Sequence, residues 1–203
     1  MLRRAPLTLA LLVAIGVVFL GEIAIRSPAG VSFLVFYGAS SAETVLAGEY
    51  WRLLTATFLH ADWIHLLFNG WALFQLGSLV ETLFGTRRFA AIYFASGLGG
   101  SIASVAWDLV SGRDTPSVGA SGAIFGLLGA LIAFLARHRD RLTGPARSLL
   151  GQLLFWAVLN IVFGFTAPMI DNAGHLGGLA VGLAFGAAIR LPRRPEPGAY
   201  PDY

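Results

Sequence analysis

The chain contains neither cysteine nor lysine, and each absence narrows what the protein can do. Without cysteine it has no disulfide, no thiolate nucleophile and no cysteine-ligated metal. Without lysine all 14 basic residues are arginine, which excludes a serine–lysine dyad. No internal repeat is visible either, and this disfavours the transporter folds that are built from repeated halves.

Charged residues are also scarce, at 12% of the 203 residues, whereas 56% are hydrophobic. A soluble domain has about 25% charged residues, and the mean hydropathy of this chain is +0.72. These values predict a polytopic membrane protein in contact with lipids, because the apolar runs are too many and too long for a signal peptide. The distribution of the +3 net charge fits membrane topology, so no nucleic-acid partner is expected.

A membrane-spanning helix needs about 20 predominantly apolar residues. Six segments meet this requirement: 6–25, 62–83, 89–110, 119–136, 148–167 and 172–190. The sequence therefore predicts an all-α membrane protein with a six-span domain over residues 6–190. Residues 1–5 form a short N-terminus outside the membrane, and the proline-containing tail, residues 191–203, is predicted to be disordered.

The arginines predict the orientation of the spans. Three lie on one side of the membrane, at Arg26, Arg52 and Arg113, and eleven on the other, at Arg3, Arg4, Arg87, Arg88, Arg137, Arg139, Arg141, Arg147, Arg190, Arg193 and Arg194. By the positive-inside rule both termini are cytoplasmic, in agreement with an even number of spans. The long connection 26–61 then lies on the non-cytoplasmic side and is predicted to lie in the interface, with Trp51 at headgroup depth and Arg52 beside lipid phosphates.

Polar side chains inside the spans are candidate functional groups because they are costly in hydrocarbon. Ser121 opens the fourth span in Gly119-Ala120-Ser121-Gly122, and His175 opens the sixth. His65 and Asn69, four residues apart, share one face of the second span. Packing explains these residues equally well, since small residues let helices approach and a His–Asn pair can bond between helices.

Catalysis explains them together, since topology places all four groups near one membrane face. A serine hydroxyl becomes a nucleophile when a base such as histidine takes its proton. The Ser121 N–H, His65 and Asn69 are candidate donors to the oxyanion of an acyl-transfer reaction. Glycines 122, 126 and 129 in span four and 178, 182 and 186 in span six would let those two helices approach closely enough for Ser121 to meet His175.

Other polar residues receive structural interpretations. His60 and His65 do not share a helical face and no His-Glu-x-x-His motif is present, so no metal is expected. Asp171 precedes His175 by four residues and is predicted to cap the sixth span, which favours a dyad over a triad. Glu81 and Asp108 are predicted to lie at interfacial ends of spans, and His138 in solvent or against headgroups.

In this order and on these spans, the motifs resemble the rhomboid family of intramembrane serine proteases over residues 5–190. The residues that carry the resemblance are Trp51, Arg52, His60, His65, Asn69, Gly119, Ser121, Gly122, His175 and Gly178. The resemblance implies a six-helix bundle with an interfacial first loop, a water-filled cavity open to the non-cytoplasmic side and no cofactor. Ser121 would be the nucleophile, His175 the base, and His65, Asn69 and the Ser121 N–H the oxyanion hole.

The resemblance also implies location in a bacterial inner membrane and transmembrane helices as substrates, entering between spans two and five past Phe68 and Trp156. Two residues depart from the common pattern: Phe125 stands where many members have tyrosine, and Gly174 where alanine is common. Phe125 keeps a ring to stack on His175. The alternative function is a non-catalytic rhomboid-like binder of membrane helices, which would not need both Ser121 and His175.

Overall fold

The computed structural model describes residues 5–27, 30, 32–167 and 170–190, and this part of the chain is all-helical apart from two isolated β-bridges. Ten α-helices follow in order: α1 Pro6–Ala24, α2 Phe33–Gly38, α3 Ala42–Leu46, α4 Arg52–Thr55, α5 Trp63–Ala72, α6 Ser78–Phe84, α7 Thr86–Ser111, α8 Ser121–Arg137, α9 Gly144–Thr166 and α10 Asn172–Ala188. A π-helical turn, Leu73–Gly77, joins α5 to α6 in one continuous rod.

Three of the described helices are long and apolar enough to cross a membrane: α1, α7 and α9. Helix α8 is apolar but shorter, and the rod of α5 and α6 is interrupted by its π-helical turn. The chain is therefore an integral membrane protein with several crossings. The predicted N-terminal residues 1–4 and the predicted disordered tail 191–203 lie outside the described residues.

Glycines bring α8 and α10 into backbone contact. A Cβ on Gly178 would overlap the Gly122 carbonyl oxygen, and Gly182 and Gly186 face Gly126 and Ala130 in the same way. Such close approach is what small residues provide between membrane helices. The prediction that the two glycine stripes pack together is confirmed.

Helix α7 joins this pair through two glycines that the sequence analysis did not single out. A Cβ on Gly100 would lie 2.8 Å from the Gly174 carbonyl oxygen, and one on Gly99 would lie 2.6 Å from Val181. Three helices therefore form the centre of the fold. We call α7, α8 and α10 the glycine core.

Glu81 and Asp108 lie near the C-terminal ends of α6 and α7, and both are buried within the protein, at 2% and 5% exposure. Glu81 accepts hydrogen bonds from the N–H groups of Leu7 and Thr8 at 3.0 and 2.7 Å, and from the Thr8 and Thr86 hydroxyls. Because the first N–H groups of a helix have no partner within it, the Glu81 carboxylate can lie away from water. It thereby ties α1 to the rod of α5 and α6. Asp108 accepts from the Thr115 N–H at 3.0 Å.

The first connection folds into the short helices α2 to α4, and Arg52 holds them together. Its guanidinium is buried, donates to the Phe36 and Ala39 carbonyls at 2.8 and 2.9 Å and pairs with Glu49. The expectation that Arg52 contacts lipid phosphate is therefore wrong, because its donors are used inside the loop. Trp51 stays 54% exposed and donates to the Tyr37 carbonyl.

Candidate active site

The site is built at the start of α8, where the chain turns sharply at Gly119. Gly119 has φ +129°, a region that side chains rarely adopt, and its N–H donates to the Ala56 carbonyl at 2.9 Å. Ser121 is the first residue of α8 and is half-buried. The first hydrogen bond of the helix is Ile124 N–H to the Ala120 carbonyl, so the N–H groups of residues 121–123 point out of the helix end.

His65 and Asn69 lie against this turn. A Cβ on Gly119 would be 2.7 Å from His65 Cε1 and Nε2 and 3.6 Å from Asn69 Nδ2. Glycine is therefore favoured here both by the backbone conformation and by the close His65 ring, whereas Asn69 lies at an ordinary van der Waals distance. His65 is set by the start of α5, where its N–H donates to the capping Asp62 carboxylate at 2.8 Å.

Asn69 is the only residue of α5 that is buried, at 6% exposure, and its Nδ2 has no hydrogen-bond partner within the described residues. A buried amide donor without a partner is costly. It is not used in a bond between helices, which was the packing interpretation of this residue. An unused donor beside the start of α8 is available to a ligand.

His175 reaches the same region from the first turn of α10. The Asp171 carboxylate accepts from the Gly174 N–H at 2.8 Å, which confirms that Asp171 caps α10. Asp171 also accepts from the Ser117 hydroxyl at 2.8 Å, so it ties the start of α10 to the chain that leads into Gly119. Gly174 itself abuts Gly100 of α7.

The imidazole of His175 stacks on the Phe125 ring, one turn after Ser121, with centroids 4.2 Å apart and an interplanar angle of 11°. The expectation that Phe125 provides a stacking face is confirmed. Nδ1 of His175 is buried without a partner, and no hydrogen bond joins Ser121 Oγ to His175 in the described part of the chain. Catalytic hydrogen bonds are commonly long before substrate binds and tighten in the complex.

The His60 ring packs edge-on against the His65 ring, with their centroids 5.1 Å apart. Its backbone N–H donates to the buried Glu22 carboxylate of α1 at 3.1 Å. Burial, followed by the nearby His65, lowers the pKa of His60 to about 4, so its ring is neutral at pH 7. Sequence reasoning missed Glu22, although an acidic residue inside an apolar span was a visible signal.

The remaining predicted site residues place no side chain in this cluster. Gly122 and Gly178 serve the helix packing described above, and Trp51 and Arg52 lie in the first connection. Phe68 on α5 and Trp156 on α9 are exposed. In the described ranges, no three side chains of the metal-binding types are grouped as ligands.

Comparison with known proteins identifies the family. The family model of the rhomboid domain matches residues 47–192, more than half of the chain. Among curated relatives, the chain is 42% identical over 160 residues to Rhomboid protease GluP of Bacillus subtilis, covering 79% of this chain and 30% of that protein. It is 39% identical over 161 residues to RHOMBOID-like protein 5 of Arabidopsis thaliana, covering 79% and 50% respectively.

A third relative is matched over most of this chain. Rhomboid protease AarA of Providencia stuartii is 31% identical over 210 residues, which cover 94% of this chain and 74% of that protein. The first two relatives are much longer, and the chain spans half of their length or less. The match to the family model, residues 47–192, includes His65, Asn69, Ser121, Phe125 and His175, and the chain belongs to the rhomboid family.

Proposed function

We propose that this protein is an intramembrane serine endopeptidase with Ser121 as nucleophile and His175 as general base. The observation that carries the proposal is the convergence of four groups on the start of α8. His175 stacks on Phe125 within α8, and His65 and Asn69 pack on Gly119, two residues before Ser121. The names of two bacterial relatives, GluP and AarA, also describe rhomboid proteases.

The reaction follows from these roles. Ser121 Oγ attacks the carbonyl carbon of the scissile peptide bond while its proton passes to His175. The carbonyl oxygen becomes negative and is stabilised by the Ser121 N–H and the side chains of His65 and Asn69. His175 then gives the proton to the leaving amine, which leaves an acyl-enzyme on Ser121. Water, deprotonated by His175, hydrolyses the ester and releases the second product.

The proposal includes a six-span topology with both termini in the cytoplasm. Helices α1, α5–α6, α7, α8, α9 and α10 supply the spans, and the arginine distribution supports the orientation. Ser121 and His175 then open toward the non-cytoplasmic side, in the inner membrane of a bacterium. The first connection lies in the outer interface, where the exposed Trp51 suits the headgroup zone.

The substrates would be transmembrane helices, cut near their non-cytoplasmic ends. We place their entry between α5 and α9, where Phe68 and Trp156 are exposed. A backbone inside a helix has its carbonyls and N–H groups paired, so the substrate must unwind locally before Ser121 can attack. Helix-weakening residues near the cut are therefore expected in good substrates.

The test is cleavage of a model transmembrane substrate by the purified protein in lipid, with Ser121→Ala as the matched variant. Wild type should yield two fragments, and Ser121→Ala should yield none while keeping the helical content and melting temperature of wild type. Equal cleavage by both proteins would rule out Ser121 as the nucleophile. If the folded wild type binds the substrate but does not cut it, the protein is instead a binder of membrane helices.

A further inference from the structure

A cavity lies at the opposite end of the glycine core from Ser121. It has a volume of about 340 Å³ and is lined by Arg137, His138, Asp140, Arg141 and Arg190. Helix α8 runs for 17 residues from Ser121 to Arg137, and at 1.5 Å per residue this separates the two sites by roughly 25 Å. We call these five residues the arginine cleft.

Three arginines converge on the cleft from different parts of the chain. Arg137 is the last residue of α8, Arg141 ends the 3₁₀ turn Arg139–Arg141, and Arg190 follows α10. Near the cleft the described residues contain one ion pair, between the exposed side chains of Arg139 and Asp140 at 3.9 Å. None of the three convergent arginines forms an ion pair within the described part of the chain, although Asp140 lines the same cleft.

The C-termini of α8 and α10 explain only part of the positive charge in the arginine cleft. Cations are favoured near a helix C-terminus, and both α8 and α10 end here. However, Nδ1 of His138 already binds the Phe134 carbonyl at 2.8 Å, which satisfies an end carbonyl of α8. Among the described residues no ion pair occupies the guanidinium groups of Arg137, Arg141 and Arg190, and the planar fork of a guanidinium suits phosphate oxygens.

With the proposed topology, the cleft would lie at the depth of lipid headgroups. Leu142 and Ile189, the chain neighbours of Arg141 and Arg190, pack on the hydrophobic core, whereas the arginines themselves are exposed. The apolar bundle therefore ends within one residue of the charges. Basic pockets between helices at this level suit the headgroups of anionic lipids.

We propose that the arginine cleft binds the phosphate of one anionic phospholipid headgroup and so bridges the ends of α8 and α10. Since these two helices carry Ser121 and His175 at their other ends, the lipid would stabilise the helix pair on which the site is built. The inference goes beyond the proposed function and holds whether or not the protein cleaves peptides.

Native mass spectrometry of the full chain in detergent, titrated with phosphatidylglycerol or phosphatidylcholine, tests the proposal. The cleft variant is Arg137→Gln/Arg141→Gln/Arg190→Gln. The matched control, Arg87→Gln/Arg88→Gln/Arg147→Gln, removes three exposed arginines from the same predicted membrane face. Wild type should bind one phosphatidylglycerol in preference to phosphatidylcholine. The cleft variant should bind it about 100-fold more weakly, since each arginine contributes about fivefold.

The control should lose less than about tenfold, because its arginines do not line the cleft and salt screens interactions between exposed charges that are not in contact. Equal weakening of both variants would overturn the proposal in favour of general surface attraction. Inorganic phosphate that displaces phosphatidylglycerol at equal concentration would assign the cleft to free phosphate instead. If the triple variant does not fold, Arg190→Gln against Arg147→Gln provides the same contrast with an expected difference of about fivefold.

Discussion

The glycine core and the two helices that flank it, α5 and α9, are packed very differently. In the core, α8 buries twelve of its 17 residues, and α10 buries its glycines against the α8 backbone. Helix α5 buries only Asn69, and α9 only Leu153, Ala157 and Gly164. One half of the molecule is thus close-packed backbone to backbone, and the other makes few buried contacts.

This difference matches the division of labour in the proposed reaction. Ser121 and His175 belong to the close-packed half, where their separation is set by glycine contacts that leave no room for adjustment. Asn69 and His65 belong to the loosely packed α5, beside the proposed path of the substrate. A nucleophile and base need fixed geometry, whereas substrate entry needs helices that can move apart.

The largest effect is expected from Gly178→Ala, which disrupts the packing of α10 on α8 in the close-packed half. The new Cβ would overlap the Gly122 carbonyl oxygen, so α8 and α10 must separate. Overpacking of this kind costs about 1–3 kcal/mol, and moving His175 from Ser121 should remove detectable proteolysis. Thermal unfolding in lipid and cleavage of a model substrate measure the two effects.

Gly151→Ala is the matched control in the loose half, because nothing lies within 4 Å of a Cβ at this position of α9. The substitution should leave cleavage unchanged and stabilise α9 slightly, since alanine favours a helix by about 1 kcal/mol over glycine. If Gly151→Ala lowered cleavage and the melting temperature as much as Gly178→Ala, the difference in packing between the two halves would not explain stability or activity.

A smaller effect is expected from Asn69→Ala, which removes a donor from the loose half. Loss of one oxyanion-hole donor lowers kcat about 100-fold, while the Ser121 N–H and His65 still act. KM and the melting temperature should change little, because Asn69 Nδ2 has no partner among the described residues. Leu67→Ala, an exposed position on the same helix, is the control. An unfolded Asn69→Ala protein with unchanged kcat in its folded fraction would indicate a packing role instead.

The smallest effect is expected from Phe125→Leu, which removes the ring beneath His175. A stacked aromatic pair contributes about 0.5–1.5 kcal/mol, so kcat should fall roughly 3- to 10-fold. Phe125→Tyr keeps the ring and should retain activity. Kinetics with one substrate for all three proteins measure the effect, and a Phe125→Leu enzyme as fast as wild type would show that the stacking does not position His175.

Much of the close-packed half could be predicted from sequence because its signals are local. Glycines every four residues in span six mark one helix face, and the stacking of His175 on Phe125 was implied by the family resemblance. The packing of α7 through Gly99 and Gly100 could not be predicted in the same way. It depends on how this third helix is rotated against α8 and α10.

The buried charges were harder to predict, because their partners are distant in sequence. Glu81 accepts from the first N–H groups of α1, 73 and 74 residues earlier, and Arg52 donates to the carbonyls of Phe36 in α2 and of Ala39 just after it. The sequence alone does not tell whether a charged side chain near the end of a span faces lipid headgroups or is hydrogen-bonded within the protein. Only the fold shows that these carboxylate and guanidinium groups are hydrogen-bonded away from water.

The central claim, that His175 activates Ser121, is tested most directly by labelling with a fluorophosphonate followed by intact-mass and peptide analysis. Wild type should gain one phosphonyl group on Ser121, Ser121→Ala none, and His175→Ala should react far more slowly while remaining folded. A folded wild type that stays unlabelled, or a Ser121→Ala protein labelled at the wild-type rate, would contradict the account.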